Sequence, residues 1–239
     1  MSENAKDTRP RPYRECVSLL CPFPAGSLKA VLFDFDHTLS DTRLDFSLLR
    51  RRCLEALARY APVRRDDPGL LLERMSDVLA CLDADAAAEA KEAALAAMRE
   101  VEVEAARRSS LFPYARPILA SLRERGLVSA VVTRNCPEAV LAVFPDIHDY
   151  CSCVLTRDHV KSVKPDPEHL VPALERAGCA SAQALMVGDH PMDIEAGRRA
   201  GTRTAAVLTG ESGFAELLAA KPDVIAPDAS ALMRGLGFL

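Results

Sequence analysis

Lys29-Ala-Val-Leu-Phe-Asp34-Phe-Asp36-His-Thr38-Leu39 opens as a strand and ends in acid. Ala30 to Phe33 is a short apolar run, the pattern of a strand buried on both faces. Two carboxylates spaced two apart follow at once. If strand geometry persisted, Asp34 and Asp36 would point to the same side. Carboxylates at the end of a buried strand cost free energy, so a cation or chemistry explains them better than stability does. The plain alternative is a strand running into an acidic, solvated turn.

The 239-residue chain is long enough for one large domain, or one domain with an insertion. Hydrophobic residues make up 49% and charged residues 27%, which fits a globular protein. A net charge of -4 gives no pull towards nucleic acid or an anionic membrane, so neither is expected as a partner. No apolar run approaches the roughly 20 residues of a membrane span. Met1 to Pro12 lacks the apolar segment of a secretory signal, so the cytoplasm is the expected location. Eight cysteines show no C-x-x-C spacing. Buried free thiols explain them better than zinc or redox sites, and Cys151 and Cys153 should share one face of a strand.

Outward from the acidic stretch the texture differs on the two sides. Residues 1–27 carry Pro10, Pro12, Pro22, Pro24 and Gly26 and read as an arm, with one short edge segment at Cys16 to Cys21. In residues 42–110 the apolar residues fall at helical spacing and no strand is evident. Phe46, Leu49, Cys53, Leu57 and Tyr60 make one stripe, and Leu71, Met75, Val78 and Leu82 another. Asp41 or Thr42 is the expected cap of the first helix. Ala61 to Gly69 reads as a loop, and Ala84 to Arg108 as one long helix with Leu95, Met98, Val101 and Ala105 on one face. From residue 111 strands and helices alternate. The strands are Leu127–Val132, Cys151–Leu155, Ala184–Val187, Arg203–Leu208 and Asp223–Ala226; helices end at Gly126 and Gly201. That alternation predicts an α/β fold with a Rossmann-like parallel sheet, helices on both faces, and a small inserted helical domain. The expected division is a core of 28–41 and 111–239, and an insertion of 42–110.

Ligands of open parallel sheets bind at the carboxyl ends of the strands. Asp34 and Asp36 end the first strand, Thr133 and Arg134 the second, and Gly188-Asp189 another, with Asp193 one helical turn on; Lys164 lies in an intervening loop. Taken singly each has an ordinary explanation: a strand-end hydroxyl, a solvated Lys, a turn, a helix cap. Together they place four carboxylates and one ammonium on one edge. Two like charges 4 Å apart repel by roughly 4 kcal/mol at an effective dielectric near 20. A hard divalent cation with oxygen ligands resolves that surplus, and magnesium is the usual one beside phosphate.

Asp34-Phe-Asp36-His-Thr38-Leu39, Thr133, Lys164-Pro-Asp-Pro and Gly188-Asp189-(x)3-Asp193 resemble, in order, the four motifs of the haloacid dehalogenase-like hydrolase superfamily. The resemblance spans roughly residues 29–227. Helical sequence between the first two motifs, and the Gly188 to Gly201 run, are similar to the phosphoglycolate phosphatase-like subgroup. The resemblance implies a magnesium-dependent phosphatase of a small phosphorylated metabolite. By position Asp34 would be the nucleophile, and Asp36 the acid and then the base. Thr133, Arg134 and Lys164 would hold the phosphoryl oxygens. Asp34, the carbonyl of Asp36, and Asp189 would bind magnesium, with Asp193 a ligand or a ligand's partner. The helical insertion would lie over the carboxylates and favour small phosphate esters, with hinges at Ser40–Thr42 and Ser110–Pro113. A monomer or weak homodimer is expected. Two departures from the pattern stand out: His37 replaces the usual Gly, and Arg134 a small or amide residue. Arg43, Arg64 and Arg65 are candidates for anionic selectivity or plain solvated charge. A phosphosugar mutase shares all four motifs, and a catalytically idle binding protein is the reading from a different class. A dehalogenase is disfavoured because halide departure does not need Asp36.

Overall fold

A computed structural model describes residues 17–20, 25–63 and 69–239. Arg64, Arg65, Cys16 and Cys21 lie outside the described residues. In chain order the first elements are β1 (Ser18–Leu19), β2 (Ala30–Phe33), β3 (Ser40–Asp41), α1 (Phe46–Leu57), α2 (Leu71–Leu79), α3 (Ala84–Ala106) and β4 (Ser110–Leu111). There follow α4 (Ala115–Glu124), β5 (Val128–Val132), α5 (Pro137–Val143), β6 (Cys153–Leu155), α6 (Val171–Ala177) and β7 (Ala184–Gly188). The chain closes with α7 (Pro191–Ala200), β8 (Arg203–Val207), α8 (Phe214–Ala219), β9 (Val224–Ala226) and α9 (Ala229–Gly235). It divides into two compact units. One comprises residues 1–41, 111–135 and 144–239, the other residues 42–110 and 136–143.

The first unit is built on a seven-stranded sheet of order β1-β9-β8-β7-β2-β5-β6. Six strands are parallel; β1 adds to the edge antiparallel, with Ser18 opposite Ile225. β2 is central because nothing in it asks for water: Ala30, Val31, Leu32 and Phe33 are all fully buried. Alternation sends Ala30 and Leu32 to one face. There they pack with Ala130, Val132, Met186, Leu170, Ala173 and Leu174. A smaller cluster of Ile194, Ala206, Leu208, Leu217 and Ile225 lies under α7 and α8. Phe33 stands opposite Val131 on one side and Val187 on the other. The three strands therefore end within one residue of one another, and the residues just past each meet at one edge.

The second unit is helical. Leu49, Cys53 and Leu57 of α1 and Ala90, Ala94 and Met98 of α3 are buried where the two helices pack. Phe46 is 43% exposed and so stands outside the expected stripe. Leu95 and Val101 are half-buried, while Glu102 is 3% exposed; the α3 face is turned slightly from the expected one. Asp45, not Asp41 or Thr42, caps α1, its Oδ1 accepting from Leu48 N at 2.8 Å. Asp45 wins because only it stands three residues before a helical N–H that lacks a partner. α5 was not foreseen in the sequence, and it joins this unit rather than the sheet: Cys136 and Ala139 pack on Ala106. Cys81 is exposed, unlike the buried Cys53, Cys136 and Cys151, and Cys151 lies just ahead of β6 rather than within it. No helix among the described residues is long and apolar enough to cross a membrane.

Candidate active site

The expected pair Asp34 and Asp36 does not stay in strand geometry. β2 ends at Phe33, and the chain then winds around one carbonyl. Phe35 O accepts from Thr38 N, Leu39 N and Ser40 N at 3.3, 3.0 and 3.0 Å, and from Ser40 Oγ at 3.0 Å. His37 takes φ 57° to close this loop. That is the left-handed region, open to Gly without cost, which accounts physically for the glycine usual at this place. The loop sends the two carboxylates to different partners.

Asp34 is 8% exposed, and its Oδ1 accepts from Lys164 Nζ at 2.6 Å. The same Nζ makes a 2.7 Å ion pair with Asp193 Oδ1. Asp189 completes the group: carboxylate oxygens of Asp34, Asp189 and Asp193 lie within 4.8 Å of one another. Thr38 Oγ1 donates to Asp189 Oδ1 at 3.2 Å. Asp193 Oδ2 accepts from His190 N at 3.1 Å, so this carboxylate caps α7 as well as facing the lysine. Gly188 and Gly210 make room for the group. A Cβ on Gly188 would fall 2.3 Å from Asp193 Oδ2, and one on Gly210 1.8 Å from Asp189 Oδ2.

Three buried carboxylates share one buried ammonium. Burial opposes the charge of Lys164, but Asp193 and Asp34 outweigh it and hold the ammonium protonated. Burial pushes the Asp34 carboxyl up to about 7 against the pull of Lys164, with Asp193 and Asp36 adding to the rise. Burial likewise holds Asp189 well above the usual carboxylate range, and Asp34 and Asp193 reinforce it. The cluster is thus short of positive charge and keeps a proton near neutrality. An all-oxygen donor set with surplus negative charge fits a hard divalent cation such as magnesium.

Asp36 stands outside this trio. Asn135 Nδ2 lies 3.2 Å from its Oδ1 and 3.1 Å from its Oδ2. Thr133 is fully buried one residue past β5, and its Oγ1 accepts from Asn135 N at 3.1 Å. Arg134 turns towards α7, where its Nη1 lies 2.9 Å from Met192 Sδ. Arg157 Nη1 supports that turn from the end of β6, donating to Arg134 O at 3.1 Å. Lys164 is held from behind: its backbone N donates to His169 Nδ1 at 3.2 Å. Burial lowers the His169 imidazole to about 3, so it is neutral and able to accept.

Thr38, Asn135 and His169 were not singled out from sequence as site residues. Thr38 lay inside the quoted motif, but its tie to Asp189 depends on the neighbouring ends of β2 and β7. Asn135 follows Thr133 by two, and that spacing is a signal only when the loop is known to fold back.

Comparison with known proteins identifies the family. Residues 31–207 match the model of the haloacid dehalogenase-like hydrolases. An N-acetylmuramic acid 6-phosphate phosphatase of Pseudomonas putida is 35% identical over 191 residues, 77% of this chain and 84% of its own length. A phosphoglycolate phosphatase of the same organism is 28% identical over 222 residues, 89% of this chain and 81% of its own. Among solved structures, one named for beta-phosphoglucomutase from Bacteroides vulgatus superposes with a TM-score of 0.64 at 22% identity, covering 88% of each chain. That likeness shows the fold. The chain belongs to the haloacid dehalogenase-like hydrolase family, among its phosphatases.

Proposed function

We propose that the chain is a magnesium-dependent phosphatase of a small phosphorylated metabolite, working through an aspartyl phosphate. The observation that carries this is the buried Asp34–Lys164–Asp193 arrangement at the end of the central strand. With Oδ1 of Asp34 held by Lys164, Oδ2 is the oxygen that attacks phosphorus. Asp36 gives its proton to the departing ester oxygen as the P–O bond breaks. It then takes a proton from water as that water attacks the aspartyl phosphate, which releases phosphate and restores Asp34. Lys164, the Thr133 hydroxyl and Arg134 hold the phosphoryl oxygens and offset their charge. Asp34, Asp189 and the carbonyl of Asp36 would hold magnesium, with Asp193 a ligand or a ligand's partner. Magnesium, when bound, supplies the positive charge that lets a carboxylate approach a phosphate dianion.

The test is turnover across small phosphate esters, with N-acetylmuramic acid 6-phosphate and phosphoglycolate included because relatives carry those names. A phosphopeptide serves as the large substrate. Turnover should stop with a chelator and return with magnesium. Full activity in the chelator, or preference for the phosphopeptide, overturns the reading. A product isomeric with a phosphosugar substrate would make the chain a mutase.

A further inference from the structure

The contact of Asn135 with Asp36 joins residues 99 apart in sequence, across the ends of the neighbouring strands β2 and β5. One amide nitrogen lies at nearly equal distance from both carboxylate oxygens, 3.2 and 3.1 Å. A donor within reach of both oxygens holds the carboxylate in place between the two strand ends. Asn135 is itself fixed. It is 7% exposed, its N–H donates to Thr133 Oγ1 at 3.1 Å, and its carbonyl accepts from Arg157 N at 3.4 Å. Asp36, by contrast, follows a strand that has already ended, in a loop wound around Phe35 O.

We propose that Asn135 is a positioning residue that aims the Asp36 carboxyl along the line of proton transfer. The inference rests on the reading of Asp36 as acid and base. A side-chain amide suits both halves of that work. When Asp36 is ionised, both oxygens accept from Nδ2. When one oxygen carries the proton and gives it to the leaving oxygen, the other still accepts. The carboxyl can therefore change protonation without losing its aim. Positioned proton transfer contributes about 10²- to 10⁴-fold, so a misaimed carboxyl forfeits part of that range.

Leaving-group dependence separates aim from general damage. The formation of the aspartyl phosphate is followed in single turnovers over a series from 4-nitrophenyl phosphate to simple alkyl phosphates. A nitrophenolate departs without a proton; an alkoxide does not. Asn135→Ala should slow the alkyl esters by about tenfold or more and the nitrophenyl ester by no more than about threefold. Asn135→Ser, whose side chain is too short to span the carboxylate, should do the same and serves if Asn135→Ala fails to fold. Adding Asn135→Ala to Asp36→Asn should cost nothing further. Equal slowing across the series overturns the positioning role, as does a further loss in the double variant. If Asp36→Asn keeps the parent's leaving-group dependence, the acid–base reading of Asp36 falls instead, and the inference with it.

Discussion

Phe33 and Asp34 are neighbours in the chain, and both are buried, yet they obey opposite rules. Phe33 belongs to the body of the sheet, where every side chain of β2 is apolar and every strand partner is in register. Asp34 belongs to the edge, where three carboxylates crowd one ammonium. Burial stabilises the body. At the edge burial costs free energy, because ionised groups are taken from water and only partly repaid by their partner. One residue of chain separates the part that holds the fold from the part that strains it. The parallel register makes that possible: strands that end within a residue of one another can deliver charge to one line without any charge entering the sheet.

Asp34→Asn should sharpen this contrast most. Removing the attacking carboxylate should lower kcat by on the order of 10⁴-fold or more. Thermal unfolding of the metal-free variant should show no loss, or a gain, because one of three buried carboxylates sharing a single ammonium has gone and Asp193 still pairs Lys164. Near-normal turnover would refute the covalent route, and a marked loss of stability would refute the claim that the edge is strained. The mirror experiment is Phe33→Ala. The fully buried ring should cost about 3–5 kcal/mol of stability on truncation, read by denaturant unfolding. The variant that remains folded should keep its kcat if body and edge are independent.

Proton competition is the next effect in size. In the metal-free protein Asp34 titrates near 7, pushed up chiefly by burial. Its folded value lies above the unfolded one, so between about pH 4 and 7 the native state binds the extra proton. Stability should therefore fall as pH rises through that window, and the fall should be smaller in Asp34→Asn, where Asp189 still carries a raised carboxyl. Magnesium must displace that proton. Its affinity, measured by calorimetry, should weaken by about tenfold per pH unit below about 7 and level off above it. An affinity flat from pH 5 to 8 would mean that Asp34 is not a ligand.

The same contrast explains what could be read from sequence. The body is written in composition: an apolar run such as Ala30–Phe33 has one good place to go. The trio is written in residue type and spacing, since Asp189 and Asp193 are one helical turn apart and Lys164 precedes a proline-rich turn. What escaped was contact between short polar residues. Nothing in the letters says that Asn135 folds back on Asp36, or that the neutral His169 accepts from the backbone of Lys164. Those bonds depend on the path of loops, which periodicity does not reach. The helical unit was legible as helices but not in detail. Its Ala-rich α3 has a weak pattern, so the sequence marks its buried face only to within a fraction of a turn, and the short α5 carries no signal that sets it apart.

His37 offers the smallest effect and tests the border itself. Its φ of 57° places an L-residue where Cβ crowds the following carbonyl, at about 1 kcal/mol or more. Glycine removes that crowding, but it also frees the unfolded chain, at roughly 0.5–1 kcal/mol. The imidazole is half-buried, and whatever it contacts is lost as well. The terms nearly cancel, so His37→Gly should shift stability by no more than about 0.5 kcal/mol, or about 1–2 °C in Tm. Activity is the more informative readout. The loop that His37 closes carries Asp36 on one side and Thr38, the donor to Asp189, on the other. If the residue serves only the turn, kcat/KM stays level across small esters. If kcat/KM falls while Tm holds, the imidazole acts on the substrate, and the edge extends one residue further than the carboxylates mark.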